Sequence, residues 1–128
     1  MSTNATIAVK TRNTYRVVYV HYDGYPEHML EALKNFNTRK KANDLISLGD
    51  MSFVGNTLEE CKKESYYYKA WNVAGFEHMQ KEIMENEHCF DGCEFKNSVA
   101  YQEYVDSYEY AYLFDGENWV ISGGYMNK

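Results

Sequence analysis

Thr14-Tyr15-Arg16-Val17-Val18-Tyr19-Val20-His21-Tyr22, followed at once by Asp23-Gly24-Tyr25-Pro26-Glu27-His28, is where the chain changes its period. β-Branched and aromatic residues dominate the first nine positions, which predicts a strand. Tyr15, Val17, Tyr19 and His21 then share one face of it, and Arg16, Val18, Val20 and Tyr22 the other. Neither face is purely polar. Helices are therefore expected on one side, with partial cover on the other, for which a second subunit is one source. Beyond the strand, Pro26 suits the first turn of a helix, and Met29, Leu30, Leu33 and Phe36 recur at helical spacing.

Working outward, Thr6 to Lys10 reads as a partner strand joined through a turn at Arg12-Asn13, which makes the N-terminus a hairpin. Downstream, Asn37-Thr38 ends the first helix and caps a second. Its Ala42, Leu45 and Ile46 form an apolar stripe opposite Arg39-Lys40-Lys41, and Gly49 supplies the stop. Cations in a first turn oppose the helix dipole. A solvated face is the simpler reading of that run, and an anion or partner site the alternative. Thr57-Leu58-Glu59-Glu60 has the form of a capping box and starts a brief helix through Lys63.

Tyr66-Tyr67-Tyr68-Lys69-Ala70-Trp71 fits a strand packed in the core, or an amphipathic contact surface, because each ring buries area while keeping a polar tip. Phe76, Met79 and Ile83 continue in helical register. Val99 to Tyr108 predicts a further helix, capped by Asn97 or Ser98, with Tyr101, Tyr104, Val105 and Tyr108 on one stripe that should bury against the sheet. Glu109 to Phe114, the turn Asp115-Gly116-Glu117-Asn118, and Trp119 to Ser122 read as a closing hairpin.

Strands at both ends with helices between them predict an α+β fold. Its antiparallel sheet would be built from the N- and C-terminal hairpins, with the helices packed chiefly on one face. The chain has 128 residues, 45% of them hydrophobic, so residues 1–128 are expected to form a single domain with a core that needs no staples. No apolar run approaches the roughly 20 residues that cross a bilayer, and Met1 to Ala5 does not begin a signal sequence. A cytoplasmic protein without membrane contact is expected.

Cys61, Cys89 and Cys93 are odd in number, which suits reduced thiols in the cytosol. His88-Cys89 with Cys93 resembles half a zinc site but lacks a second pair, so small side chains flanking a turn at Asp91-Gly92 are the better reading, and no metal or cofactor is expected. Charge is uneven. Residues 1–63 carry nine Lys/Arg against seven Asp/Glu, a net +2, whereas residues 64–128 carry four against twelve, a net −8. An acidic half disfavours direct nucleic-acid binding, which relies on cations neutralising phosphates. It suits a basic partner instead.

His21-Tyr22-Asp23-Gly24-Tyr25-Pro26 after its strand, Leu45-Ile46-Ser47-Leu48-Gly49-Asp50, and Tyr110-Ala111-Tyr112-Leu113-Phe114-Asp115-Gly116 together resemble a family of small, mostly uncharacterised bacteriophage and prophage proteins. The similarity covers both ends of the chain and is loose through residues 57–96. It implies a setting: an accessory protein acting in the cytoplasm of the infected bacterium, where such proteins disable defence or redirect host machinery.

Three classes of function follow. The first is a non-enzymatic anti-defence or host-takeover protein that binds and inhibits a bacterial host factor, with Tyr22, Asp23, Tyr25 and the cluster Tyr66, Tyr67, Tyr68 and Trp71 as its contact residues and a homodimer as its assembly state. The second is a small-molecule binder that sequesters a nucleotide signal, stacking the base on aromatic faces while Arg12, Arg16 or Arg39-Lys40-Lys41 meets phosphate. The third is an enzyme using His21, Asp23 and His28, ranked last because no nucleophile elbow, phosphate loop or paired metal motif stands beside them.

Overall fold

The computed structural model describes residues 2–127. In chain order its elements are β1 (Ala5–Lys10), β2 (Tyr15–Val20), α1 (Pro26–Leu33) running into a 3₁₀ turn (Lys34–Phe36), α2 (Arg39–Ile46), α3 (Leu58–Glu64), α4 (Tyr66–Asn72), α5 (His78–Glu85), β3 (Cys93–Phe95), α6 (Ser98–Val105), β4 (Tyr110–Phe114) and β5 (Trp119–Gly123). The two terminal hairpins share one five-stranded sheet of order β3-β2-β1-β4-β5, and the class is α+β. Both hairpins are antiparallel, but the seam between them is parallel: Ala5 lies opposite Tyr110 and Val9 opposite Phe114. The sheet is therefore mostly, and not wholly, antiparallel. Parallel neighbours need a long crossover, which the helical middle of the chain supplies.

Central strand β1 is buried from Ala5 through Val9, as expected of a strand covered on both faces. On one face Ile7, Val9, Val18, Val20, Tyr112 and Phe114 meet Met29, Leu33 and Phe36, then Ala42, Leu45 and Ile46 of α2, and finally Cys61 of α3. On the other, Ala8, Val17 and Ala111 lie under Tyr101 and Val105 of α6. Helices thus cover both faces. The apolar second face of β2, which suggested another subunit, is met by α6 of the same chain.

Several local expectations hold for visible reasons. Thr38 caps α2 by accepting the Lys41 N–H, Thr57 and Glu60 form a complete capping box on α3, and Asn97 caps α6. Gly49 adopts φ 81°, the left-handed turn after α2. Other expectations differ. The Tyr66–Trp71 run is the helix α4 and not a strand: Ser65 breaks the chain after α3 with an extended backbone, and Tyr66 and Ala70, one turn apart, are then buried together. Helix α6 stops at Val105, so Tyr108 lies beyond it and rejoins the stripe through its hydroxyl, which donates to Tyr104 Oη at 3.0 Å.

Strand β3, which has no periodic signature in the sequence, pairs its three residues with Tyr15–Val17. Past β3, the outer side of β2 is taken over by Asp50–Ser52. Met51 donates to the Tyr19 carbonyl at 2.9 Å, and the His21 and Tyr22 N–H groups donate to Met51 and Ser52 at 3.1 and 2.7 Å. This extension carries β2 into the His21–His28 segment. Strand β5 is the other outer strand, and Gln102 Nε2 covers one of its carbonyls, that of Ser122, at 3.0 Å. Among the described residues, no helix is long and apolar enough to cross a membrane.

Candidate functional site

The segment from His21 to His28 divides into a pinned half and a free half. Gly24 is wedged at the entry to β1: its N–H donates to the Thr3 carbonyl at 2.8 Å, and Tyr112 Oη donates to its carbonyl at 2.6 Å from inside the sheet. A Cβ there would stand 2.6 Å from Ala5 Cβ and 2.9 Å from the Thr3 oxygen, so only glycine fits. Pro26 opens α1, as its fixed φ and missing N–H favour. The His28 ring donates from Nε2 to the Val54 carbonyl at 2.7 Å and lies 4.6 Å from the Phe53 ring. Gly24, Pro26 and His28 are scaffold.

Tyr22, Asp23 and Tyr25 are the free half, with Asp23 itself half-buried between the two tyrosines. Tyr22 is 49% and Tyr25 37% exposed, large for aromatic side chains beside a packed core. Asp23 has φ 55°, the one non-glycine residue in the left-handed region among those described, and its carboxylate makes no hydrogen bond there. Aspartate tolerates that region better than most residues, but the position still costs energy and is not repaid by a local hydrogen bond. Among the described residues, the Asp23 carboxylate therefore does not serve to satisfy the backbone donors of its own turn. The neighbouring His21 faces inward: its Nδ1 shares a 2.6 Å hydrogen bond with Tyr19 Oη, and its ring meets Tyr22 edge-on at 4.4 Å. Each histidine of the segment thus has one ring nitrogen committed to a scaffold contact.

Beside this segment lies a half-buried polar group that the sequence did not single out. Asp50 Oδ1 accepts the Tyr19 N–H, and burial pushes its carboxyl up to about 6 in spite of that hydrogen bond. Tyr19 packs 5.6 Å from Tyr108, and burial raises its phenol also. The signal available in the sequence was Asp50 at the end of Leu45-Ile46-Ser47-Leu48-Gly49, a carboxylate following an apolar helix end.

The α4 aromatics separate in the same way. Tyr66 is buried edge-on to Phe90 at 5.4 Å, and burial pushes its phenol up to about 12. Tyr67 Oη donates to Asp91 Oδ1 at 2.6 Å and accepts the Phe90 N–H at 3.2 Å. Tyr68 is half-buried, and Trp71 alone is strongly exposed, at 53%. The two groups are linked through Ser52, which accepts from Tyr22 and donates to the Glu64 carbonyl just before α4. Trp71 then lies about 7.5 Å farther along the helix than Tyr66, at 1.5 Å per residue.

Asp91 also holds the exposed His88, Nδ1 to Oδ2 at 2.8 Å, and that hydrogen bond raises the imidazole pKa. His88, Cys89 and Cys93 are the residues that resemble half a zinc site in the sequence. The three cysteines are free thiols, and the described residues contain no group of three His, Cys, Asp or Glu side chains placed to hold a metal.

Comparison of the chain with models of known protein families, with curated proteins and with solved structures returned no match. What the site does has to be inferred from its own residues.

Proposed function

We propose that the protein is a non-enzymatic binding protein whose Tyr22-Asp23-Tyr25 face docks a basic partner and inhibits it. In the setting that the phage resemblance implies, the partner is a bacterial host factor, a defence component among the candidates, met in the host cytoplasm. The observation that carries this reading is Asp23: a carboxylate without a partner among the described residues, on a left-handed backbone, between two exposed tyrosines, in a segment whose other half is locked to the sheet. Strain kept at one residue of an otherwise pinned turn is a reason to look for function there. Tyrosine and tryptophan supply large contact area at low entropic cost, and the exposed Trp71 is a further contact residue of the same kind. The net −8 of residues 64–128 adds long-range attraction toward a basic target.

Immobilised protein exposed to bacterial lysate, with the retained proteins identified by mass spectrometry, tests this. A basic protein retained by the wild type and lost with Tyr22→Ala/Asp23→Asn/Tyr25→Ala is expected. The same protein retained equally by that variant would contradict the reading.

A further inference from the structure

A second site lies between α2 and the start of α3, away from the Asp23 turn in the sequence. There a groove of about 380 Å³ is lined by Phe36 and Leu58, by Asn35 and Asn56, by Lys40 and Lys41, and by Asp44, whose carboxylate pairs with Lys40. That volume falls at the lower end of the range for small-molecule clefts, about 300–1,000 Å³.

The three cations that open α2 are not equivalent. Arg39 donates to the Lys10 carbonyl at 3.0 Å and covers the Phe114 ring, so it belongs to the scaffold. Lys40 is paired with Asp44 at 2.9 Å. Lys41 makes no ion pair among the described residues, yet it stands in the first turn of a helix that has no acidic residue there. A positive side chain on the positive end of a helix dipole opposes folding locally and concentrates potential that favours an anion. Leu58, 37% exposed, supplies the apolar wall of the groove, whereas Phe36 is only 3% exposed at its base. Asn35 Nδ2 donates to the Ala32 carbonyl at 3.0 Å and to Asn56 Oδ1 at 3.4 Å, which leaves Asn35 Oδ1 and Asn56 Nδ2 for a polar edge.

We propose that this groove binds a nucleoside monophosphate, the base against Leu58, its edge at Asn35 and Asn56, and the phosphate at Lys41. The site is independent of the partner-docking face and does not rest on it.

Adenosine monophosphate titrated into the isotope-labelled full chain, followed by amide resonances, is the test. Saturable shifts confined to residues 35–41 and 56–58 are expected, with inorganic phosphate alone and adenosine alone each binding about tenfold more weakly or less. Lys41→Glu, at an exposed position where folding is preserved and checked by thermal melting, should weaken binding by about tenfold or more, the scale of one charge-assisted contact. Lys62→Glu, outside the groove, should not. Absence of saturable shifts with both adenosine and guanosine monophosphates overturns the proposal. So does phosphate binding as tightly as the nucleotide, or wild-type affinity in Lys41→Glu.

Discussion

The Asp50 carboxylate stands in for a missing strand, accepting the Tyr19 N–H at 2.9 Å where β3 has ended and the main chain of Asp50–Ser52 has yet to take over the edge of β2. A backbone donor is thereby satisfied at the cost of burying an acid, and burial wins: the carboxyl rises from 3.8 to about 6. A folded-state pKa above the unfolded one contributes stability that is full below the unfolded value and is lost as pH rises through the folded value. Between about pH 4 and pH 8 the loss from this group should be about 2 kcal/mol, allowing for the part of the carboxylate that still meets water. Asp50→Asn keeps an acceptor for the Tyr19 N–H and removes the charge. Denaturant titrations of both proteins across that range should show the variant gaining on the wild type as pH rises; parallel profiles would contradict this origin of the slope.

Tyr101 and Tyr104 share a stripe and should not share a cost. Tyr101 is only 3% exposed and stacks on Tyr15 with ring centroids 4.3 Å apart, whereas Tyr104 is half-buried. Tyr101→Ala is expected to lower unfolding free energy by about 3–4 kcal/mol and Tyr104→Ala by about 1–2 kcal/mol. Equal losses in denaturant midpoint would show that α6 packs otherwise.

Thr6 is fully buried on the same side of β1 as Ala8, and its hydroxyl has no hydrogen-bond partner among the described residues. Thr6→Val keeps the shape and removes the unpaired group, so a gain of about 1 kcal/mol is expected. A loss of stability on denaturant unfolding would mean that the hydroxyl is satisfied in solution.

Alternation in Thr14–Tyr22, the caps at Thr38, Thr57 and Asn97, and the helical stripe through Tyr101 are local patterns, and each is legible because a few neighbouring residues determine it. The parallel seam between β1 and β4 is a pairing across more than a hundred positions, and nothing local encodes it. Strand β3, at three residues, is too short to show a period. The Tyr66–Trp71 run misled because β propensity favours aromatic residues, while the break at Ser65 and burial of Tyr66 and Ala70 made a helix. At the site, the segment was visible as a strand-to-helix junction, but its division was not: Gly24 is pinned by Tyr112, far along the chain, and His28 by Val54.

Adjacent residues of that junction should respond oppositely. Gly24→Ala brings a Cβ to 2.6 Å from Ala5 Cβ and should cost about 2 kcal/mol or more. Asp23→Asn, on a backbone that asparagine also tolerates, should leave the melting temperature unchanged within the effect of about 0.5 kcal/mol typical of surface changes. A large loss with Asp23→Asn would make Asp23 part of the scaffold.

The remaining ground for self-association is the outer edge of β5. Trp119-Val120-Ile121-Ser122-Gly123 carries no lysine or proline to block another strand. Two copies pairing there would give twice the chain mass by light scattering at tens of micromolar; the mass of one chain would contradict it.

Binding of the captured partner by the wild type and by Asp23→Asn, titrated at low and at high salt, tests the central claim most directly. Asp23→Asn should weaken the complex by about 1–3 kcal/mol with folding unchanged, and wild-type affinity should fall as salt rises. Trp71→Ala, measured alongside, should weaken it on the same scale. Wild-type affinity in Asp23→Asn at both salt concentrations would mean that the free half of the segment is not the binding face.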